Sequence, residues 1–221
     1  MKSALLFLSV LFSFYICSCH KPPPGIYEHV YDAIKTDFNF KPGTYWIYRD
    51  TRSGRIDSFV VTSYIDTMLY VSSGGSYYPS RHDEHIYIDF IEYNVGPLPI
   101  TDTTVNWRYD NTADGVGLTR NGSGFSVLFY YPAKDSFRIG YITGNYDTGL
   151  VTNVFADYRL NNGISFTHVV EVNHYDCNPP LVNYNDWYYA SPGIGIIKMK
   201  FNHPLSSEFI VWELQRWNIV K

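Results

Sequence analysis

The sequence predicts a mainly β protein: a strongly curved antiparallel sheet, half-barrel or sandwich, with one short helix near its N-terminus. Three observations lead there. From Thr44 onward the apolar period is two, with Tyr45 and Ile47 on one side of a strand and Trp46 and Tyr48 on the other. The runs are punctuated by Asp114-Gly115, Asn121-Gly122 and Asn161-Asn-Gly163, residues that accept the positive φ angles of tight hairpins. Short links of this kind join antiparallel neighbours, because parallel strands need long crossovers. The third observation is compositional. Aromatic residues make up 18% of the chain, too many large rings for a linker or for a helical bundle built on Leu and Ala.

Taken in order, residues 1–18 read as a secretory signal peptide. Lys2 gives a short positive start, and 4–17 is almost continuously apolar. As a helix that stretch covers roughly 21 Å, short of a bilayer core of about 30 Å. A short uncleaved anchor is the alternative. The stretch ends in Ile16-Cys17-Ser18-Cys19, which resembles the lipobox of bacterial lipoproteins, although Cys17 departs from the usual small second residue. The match implies that Cys19 is lipidated and becomes the mature N-terminus. Residues 19–25 then form a tether, in which Pro22, Pro23 and Pro24 favour an extended polyproline segment. No acidic residue follows Cys19 directly, which points to the outer membrane of the bacterial cell envelope. Cys177 is left as a lone thiol with no intrachain disulfide open to it, and burial is its expected state.

Residues 26–221 read as a single domain. Ile26, Val30 and Ile34 recur at helical spacing, so a short helix is expected over 26–34, ended by Pro42-Gly43. About a dozen strands follow. They include 56–61 and 64–72 as separate strands, then 84–93, 104–110, 116–120, 124–131, 136–142, 150–160, 164–175, 186–190, 194–201 and 208–218. Gly74-Gly75 turns the chain between two of them. Several carry apolar residues on both faces, as Ile86, Ile88 and Phe90 do beside Tyr87 and Ile91. Such a sheet has a core on one face and a cavity or helix on the other, or it is one half of a sandwich.

Two segments resemble a group of uncharacterised bacterial envelope lipoproteins. They are Phe40-Lys-Pro-Gly-Thr-Tyr-Trp-Ile-Tyr-Arg-Asp50 and Trp187-Tyr-Tyr-Ala-Ser-Pro-Gly-Ile-Gly-Ile-Ile-Lys198, with Val211-Trp-Glu-Leu214 at the close. The Gly193-x-Gly195-x-Ile197-Lys198 pattern is also weakly similar to the closing strands of Lol-type half-barrel carriers. That similarity implies a curved sheet holding acyl chains against a helix. The first implies only an exported lipoprotein.

The chemistry-bearing candidates each have a plainer reading. Asp110-Asn-Thr-Ala-Asp-Gly115 places oxygens as a calcium loop does, but Asn121 stands where the bidentate Glu belongs. It reads as a hairpin turn. His82-Asp-Glu-His85 on a strand splits between two faces, His82 with Glu84 and Asp83 with His85. His168 and His174 share one side of a regular strand, and no third ligand completes a metal set. Asp50 and Asp57 could face each other across a hairpin as a glycosidase pair does, against the plainer expectation that they neutralise Arg49, Arg52 and Arg55. No nucleophile-elbow signature is present. With charged residues at 17% and a net charge of −4, there is no basic platform for nucleic acid.

The sequence therefore predicts a lipid-anchored, exported lipoprotein with a non-enzymatic binding or assembly role. Its partners are the membrane, through Cys19, and a hydrophobic ligand on a concave β face. A glycan-binding surface, a periplasmic lipoprotein and a glycoside-active enzyme are the alternatives, with lipid, glycan or envelope protein as the ligand classes. No cofactor, metal ligand or catalytic residue is assigned, and only Cys19 is singled out.

Overall fold

A computed structural model describes residues 25–72, 80–93, 104–112, 115–120, 123–130, 138–139, 147–176, 185–202 and 209–221. The leader, Cys19 and most of its tether, Gly74-Gly75, Asp114, Asn121-Gly122 and Cys177 lie outside them. The described chain contains one helix, α1 (Asp32–Phe38), and thirteen strands in one sheet. The strands are β1 (Ile26–Glu28), β2 (Tyr45–Asp50), β3 (Ile56–Val71), β4 (Arg81–Tyr93), β5 (Thr104–Asn111), β6 (Gly115–Arg120) and β7 (Ser123–Tyr130). They continue as β8 (Arg138–Ile139), β9 (Asp147–Arg159), β10 (Ser165–Asp176), β11 (Asn185–Ser191), β12 (Gly195–Asn202) and β13 (Phe209–Asn218).

The spatial order is β7-β6-β5-β4-β3-β2-β13-β12-β11-β10-β9-β8. Neighbours on this path are consecutive in the chain except at β2–β13, where the last strand closes against the first long one, and every pair is antiparallel. The sheet curls into a half-barrel, and β7 comes back to lie against β8 and β9. The expected fold class is the one observed, and the curved sheet is the form it takes.

The N-terminal segment differs from its spacing-based expectation. Ile26–Glu28 is strand β1, paired in parallel with Arg81–Asp83 of β4, and the helix starts at Asp32, not at Ile26 as predicted. The i, i+4 spacing that matters is Ile34 to Phe38, both buried. A seven-residue helix is too short to persist alone, and its open C-terminal carbonyls are met from outside. Asn111 Nδ2 donates to Phe38 O at 3.0 Å, the Gly193 amide to Asp37 O at 3.1 Å, and Lys221 Nζ to Thr36 O at 2.7 Å. Strands 56–61 and 64–72 are likewise one element. The register shifts between Val61 and Ser63, so a bulge bends β3 without ending it.

α1 and Phe40 fill the middle of the concave face. Phe40 is fully buried, edge-on to Trp46 with ring centroids 5.0 Å apart and next to Phe38 and Tyr109. Ile86, Ile88 and Phe90 from β4 complete that layer.

A second packed face lies behind β12 and β13. The turn at 161–163 joining β9 to β10 folds back across the sheet, so that Asn161 reaches Glu213 on β13 through its backbone N at 3.1 Å and its Nδ2 at 2.9 Å. Three strand spacings, about 14 Å, separate β10 from β13 along the sheet, so the hairpin tip must leave the sheet plane. His168 supplies the corner, with φ 54, an uncommon angle for a residue other than Gly. Glu213 also pairs with Lys198 at 3.3 Å, and Phe166 packs on Trp217.

Candidate functional site

The two segments that carry the lipoprotein resemblance meet in one knot. The first residues of β12 run ahead of its ladder with β13, which starts at the Lys198–Glu213 pair. Their carbonyls would otherwise lack partners in the core, and β2 supplies them. Trp46 Nε1 donates to Ile194 O at 2.6 Å and Tyr48 Oη to Ile196 O at 2.7 Å. Gly195, at φ +92, lies under the Phe40 and Trp46 rings, where an added Cβ would stand 3.3 Å from Phe40. Gly193, at φ +73, has open space at that position and makes the turn. The Gly-x-Gly pattern is thus explained by packing and turn geometry. Trp46, Tyr48 and Tyr188 are core side chains.

The second candidate is a pair of carboxyls inside the concave face. Asp57 and Glu92 are both buried and hydrogen-bonded to each other. Burial first, then the hydrogen bond and charge of Glu92, push Asp57 up to about 8, while the Ser58 amide at 2.7 Å and Arg55 pull the other way. Near neutral pH the pair shares one proton. Tyr48 and Tyr109 lie close by, and burial raises both phenols well above their ordinary range. Asp57 does not face Asp50. Asp57 stands opposite Tyr48, while Asp50, past the end of that ladder, binds the Arg52 amide at 3.1 Å and the Ser53 amide and hydroxyl, closing the turn between β2 and β3. The pairing of Asp57 with Glu92 was hidden in the sequence, though one signal existed. Each carboxylate occupies an apolar phase, Asp57 with Phe59 and Val61 and Glu92 with Phe90.

The His82-Asp-Glu-His85 run divides between faces as expected, and each member has its own task. Glu84 holds α1 through Lys35 Nζ at 2.6 Å, His29 Nδ1 at 3.0 Å and the Val30 amide at 3.1 Å. On the convex face His85 contacts Asp110 at 3.0 Å, which ties up the first residue of the calcium-like loop. Asp83 pairs with Arg81, and His82 stacks on Tyr27. Among the described residues no three His, Cys, Asp or Glu converge as metal ligands. The His174 side chain, and with it the His168–His174 pair, lies outside what the structure describes.

The third candidate was not foreseen. β2 covers only residues 56–60 of β3. Past the bulge, β3 and β4 continue together as an arm through Val71 and Arg81. Met68, Leu69, Tyr70 and Val71 are all exposed there, with Tyr70 at 62%, and Tyr27 of β1 is exposed at 55% beside them. Met68 and Tyr70 face the same side as Glu84 and His82, whereas Leu69 and Val71 face the other. The β3 strand of the arm is apolar on both sides, beside the polar Arg81 to His85 of β4.

On the convex face Lys200 sits between Trp187 and Phe209, 4.5 and 3.9 Å from the ring centroids. These rings, suited in type to stacking on a sugar, are engaged by the chain's own cation.

No family model matches the chain, and no curated protein matches it. Among solved structures it is similar to a Bacteroides fragilis protein described as exported and as having a YmcC-like fold. The identity is 10%, the TM-score 0.49, and the match covers 83% of this chain and 99% of that one.

Proposed function

We propose that this chain is an exported lipoprotein, anchored to the outer membrane of a bacterial envelope through an acylated Cys19, and that its half-barrel is a non-enzymatic binding or assembly module for a hydrophobic partner. The anchor is supported by the apolar leader ending in Ile16-Cys17-Ser18-Cys19 and by the proline tether after it. The binding role is carried by one contrast. The middle of the concave face is filled by α1 and Phe40, while Tyr27, Met68 and Tyr70 stay exposed at its outer end. A hydrophobic ligand meets the sheet at that end. The carboxyl pair does not favour the enzymatic alternative, since Asp57 is 2% exposed and a general acid must reach its substrate.

The test is mass spectrometry of the protein expressed in a bacterium that processes lipoproteins. A mature N-terminus at Cys19 carrying a diacylglycerol supports the anchor, and any other first residue rejects it. Native spectra of the Cys19→Ser chain beginning at residue 19 then read the ligand. An added lipid or fatty-acid mass that disappears in Tyr70→Ser supports the binding role, and a bare protein mass rejects a retained ligand.

A further inference from the structure

We propose that the outer β3–β4 arm, together with Tyr27, is a second membrane contact that lays the domain against the bilayer interface. The inference deepens the anchor reading and rests on it for the location of the membrane. Its occupant is a phospholipid surface.

Three observations select a lipid surface. The first is where the chain enters the domain. Gly25 abuts the ring of His82, and Ile26 pairs with Arg81, so the tether joins the domain at the outer end of the arm. Gly25 is only six residue steps from Cys19. At about 3.1 Å per step in polyproline geometry these six steps span roughly 19 Å, and a lipid on Cys19 keeps this end of the molecule that close to the bilayer.

The second is the distribution of apolar side chains. Tyr27, Met68 and Tyr70 on the concave side suit the hydrophobic ligand proposed above, but Leu69 and Val71 on the opposite side are exposed as well. A medium that surrounds residues 68–71 on both sides matches that pattern. Residues 67–71 carry no charge, and as a strand they measure roughly 17 Å, more than the about 5–10 Å to which an apolar face enters the bilayer interface. Tyrosine rings suit that boundary, with an apolar body and a polar tip.

The third is the charge around the arm. Arg81 is paired with Glu28 at 3.1 Å and with Asp83 at 3.0 Å, and Glu84 is taken up by Lys35 and His29. The exposed carboxylate next along β3 is Asp66, where contact with the bilayer would end.

Every ladder of the sheet lies within 26–218, so the Cys19→Ser chain beginning at residue 19 keeps the whole fold and lacks the anchor. It is sedimented with vesicles of phosphatidylethanolamine and phosphatidylglycerol. We expect measurable binding, reduced at least about tenfold in a Tyr27→Ser, Leu69→Ser, Tyr70→Ser variant and unchanged in Val154→Ser, an exposed apolar site on β9. If the triple variant fails to fold, Tyr70→Trp keeps a ring at the site. Its added emission should be quenched by vesicles with brominated acyl chains. A folded Cys19→Ser chain that ignores vesicles overturns the proposal. So does lipid-free self-association that the triple variant abolishes, which would assign the arm to a second copy. The mass at Cys19 is read separately. A missing acyl group there removes the anchor and leaves the arm's own vesicle binding to be judged alone.

Discussion

Asp57 and Glu92 lie diagonally across the β3–β4 ladder, Glu92 standing opposite Phe59, and share a hydrogen bond that needs a proton. This sets a pH dependence with a definite sign. In the unfolded chain Asp57 titrates near the ordinary 3.8, and in the folded protein it is pushed up to about 8. Between those values the folded state keeps a proton that the unfolded chain has lost, so stability falls as pH rises. The contribution is complete below the unfolded value and gone above the folded one. Asp57→Asn supplies an N–H donor to Glu92 without titrating. The thermal midpoint of the wild type should drop between about pH 5 and about pH 8.5, and that of Asp57→Asn should drop less. Parallel curves would remove the pair as the source.

The two glycines of the β11–β12 turn should respond differently to alanine. Gly193 at φ +73 has free space where a Cβ would go, so Gly193→Ala carries backbone strain alone, about 1–2 kcal/mol. Gly195→Ala adds a methyl group 3.3 Å from the Phe40 ring and 3.5 Å from Trp46. Overpacking there costs a further 1–3 kcal/mol or so. Urea unfolding of both variants measures the gap. Equal losses would mean that Phe40 moves aside freely, which its full burial argues against.

Much of the sheet was legible because its strands obey one rule, a period of two interrupted by turn residues, as at Tyr45 to Tyr48 and at Asn161-Asn-Gly163. The misreadings fall where tertiary contacts decide. Ile26 to Glu28 carry helical spacing, yet the open edge beside Arg81 to Asp83 recruits them as a strand. The residues at Val61 to Ser63 look like a break because the bulge resets the face of every later residue. The arm escaped notice for a related reason. Met68, Leu69, Tyr70 and Val71 read as ordinary strand residues, and only the length of β2, which stops covering β3 at Val60, leaves them uncovered.

Glu84 gives the last prediction, because it holds α1 in place with a slope opposite to that of Asp57. Its burial favours the neutral acid, but Lys35, His29 and the Val30 amide outweigh burial and hold the carboxyl below its ordinary range. The contribution is therefore present above the unfolded value and lost as pH falls through the folded one. Lys35 is a third exposed, and solvent screens part of that ion pair. Glu84→Gln should cost about 1–3 kcal/mol near neutral pH and flatten the acid limb of the stability profile. The loss should also be local. α1 is too short to stand alone, so hydrogen exchange at its amides should quicken in Glu84→Gln while amides of the β12–β13 ladder keep their protection. Uniform acceleration across both would mean that the helix and the sheet open together, and Glu84 would then be holding the whole half-barrel closed through α1 and Phe40.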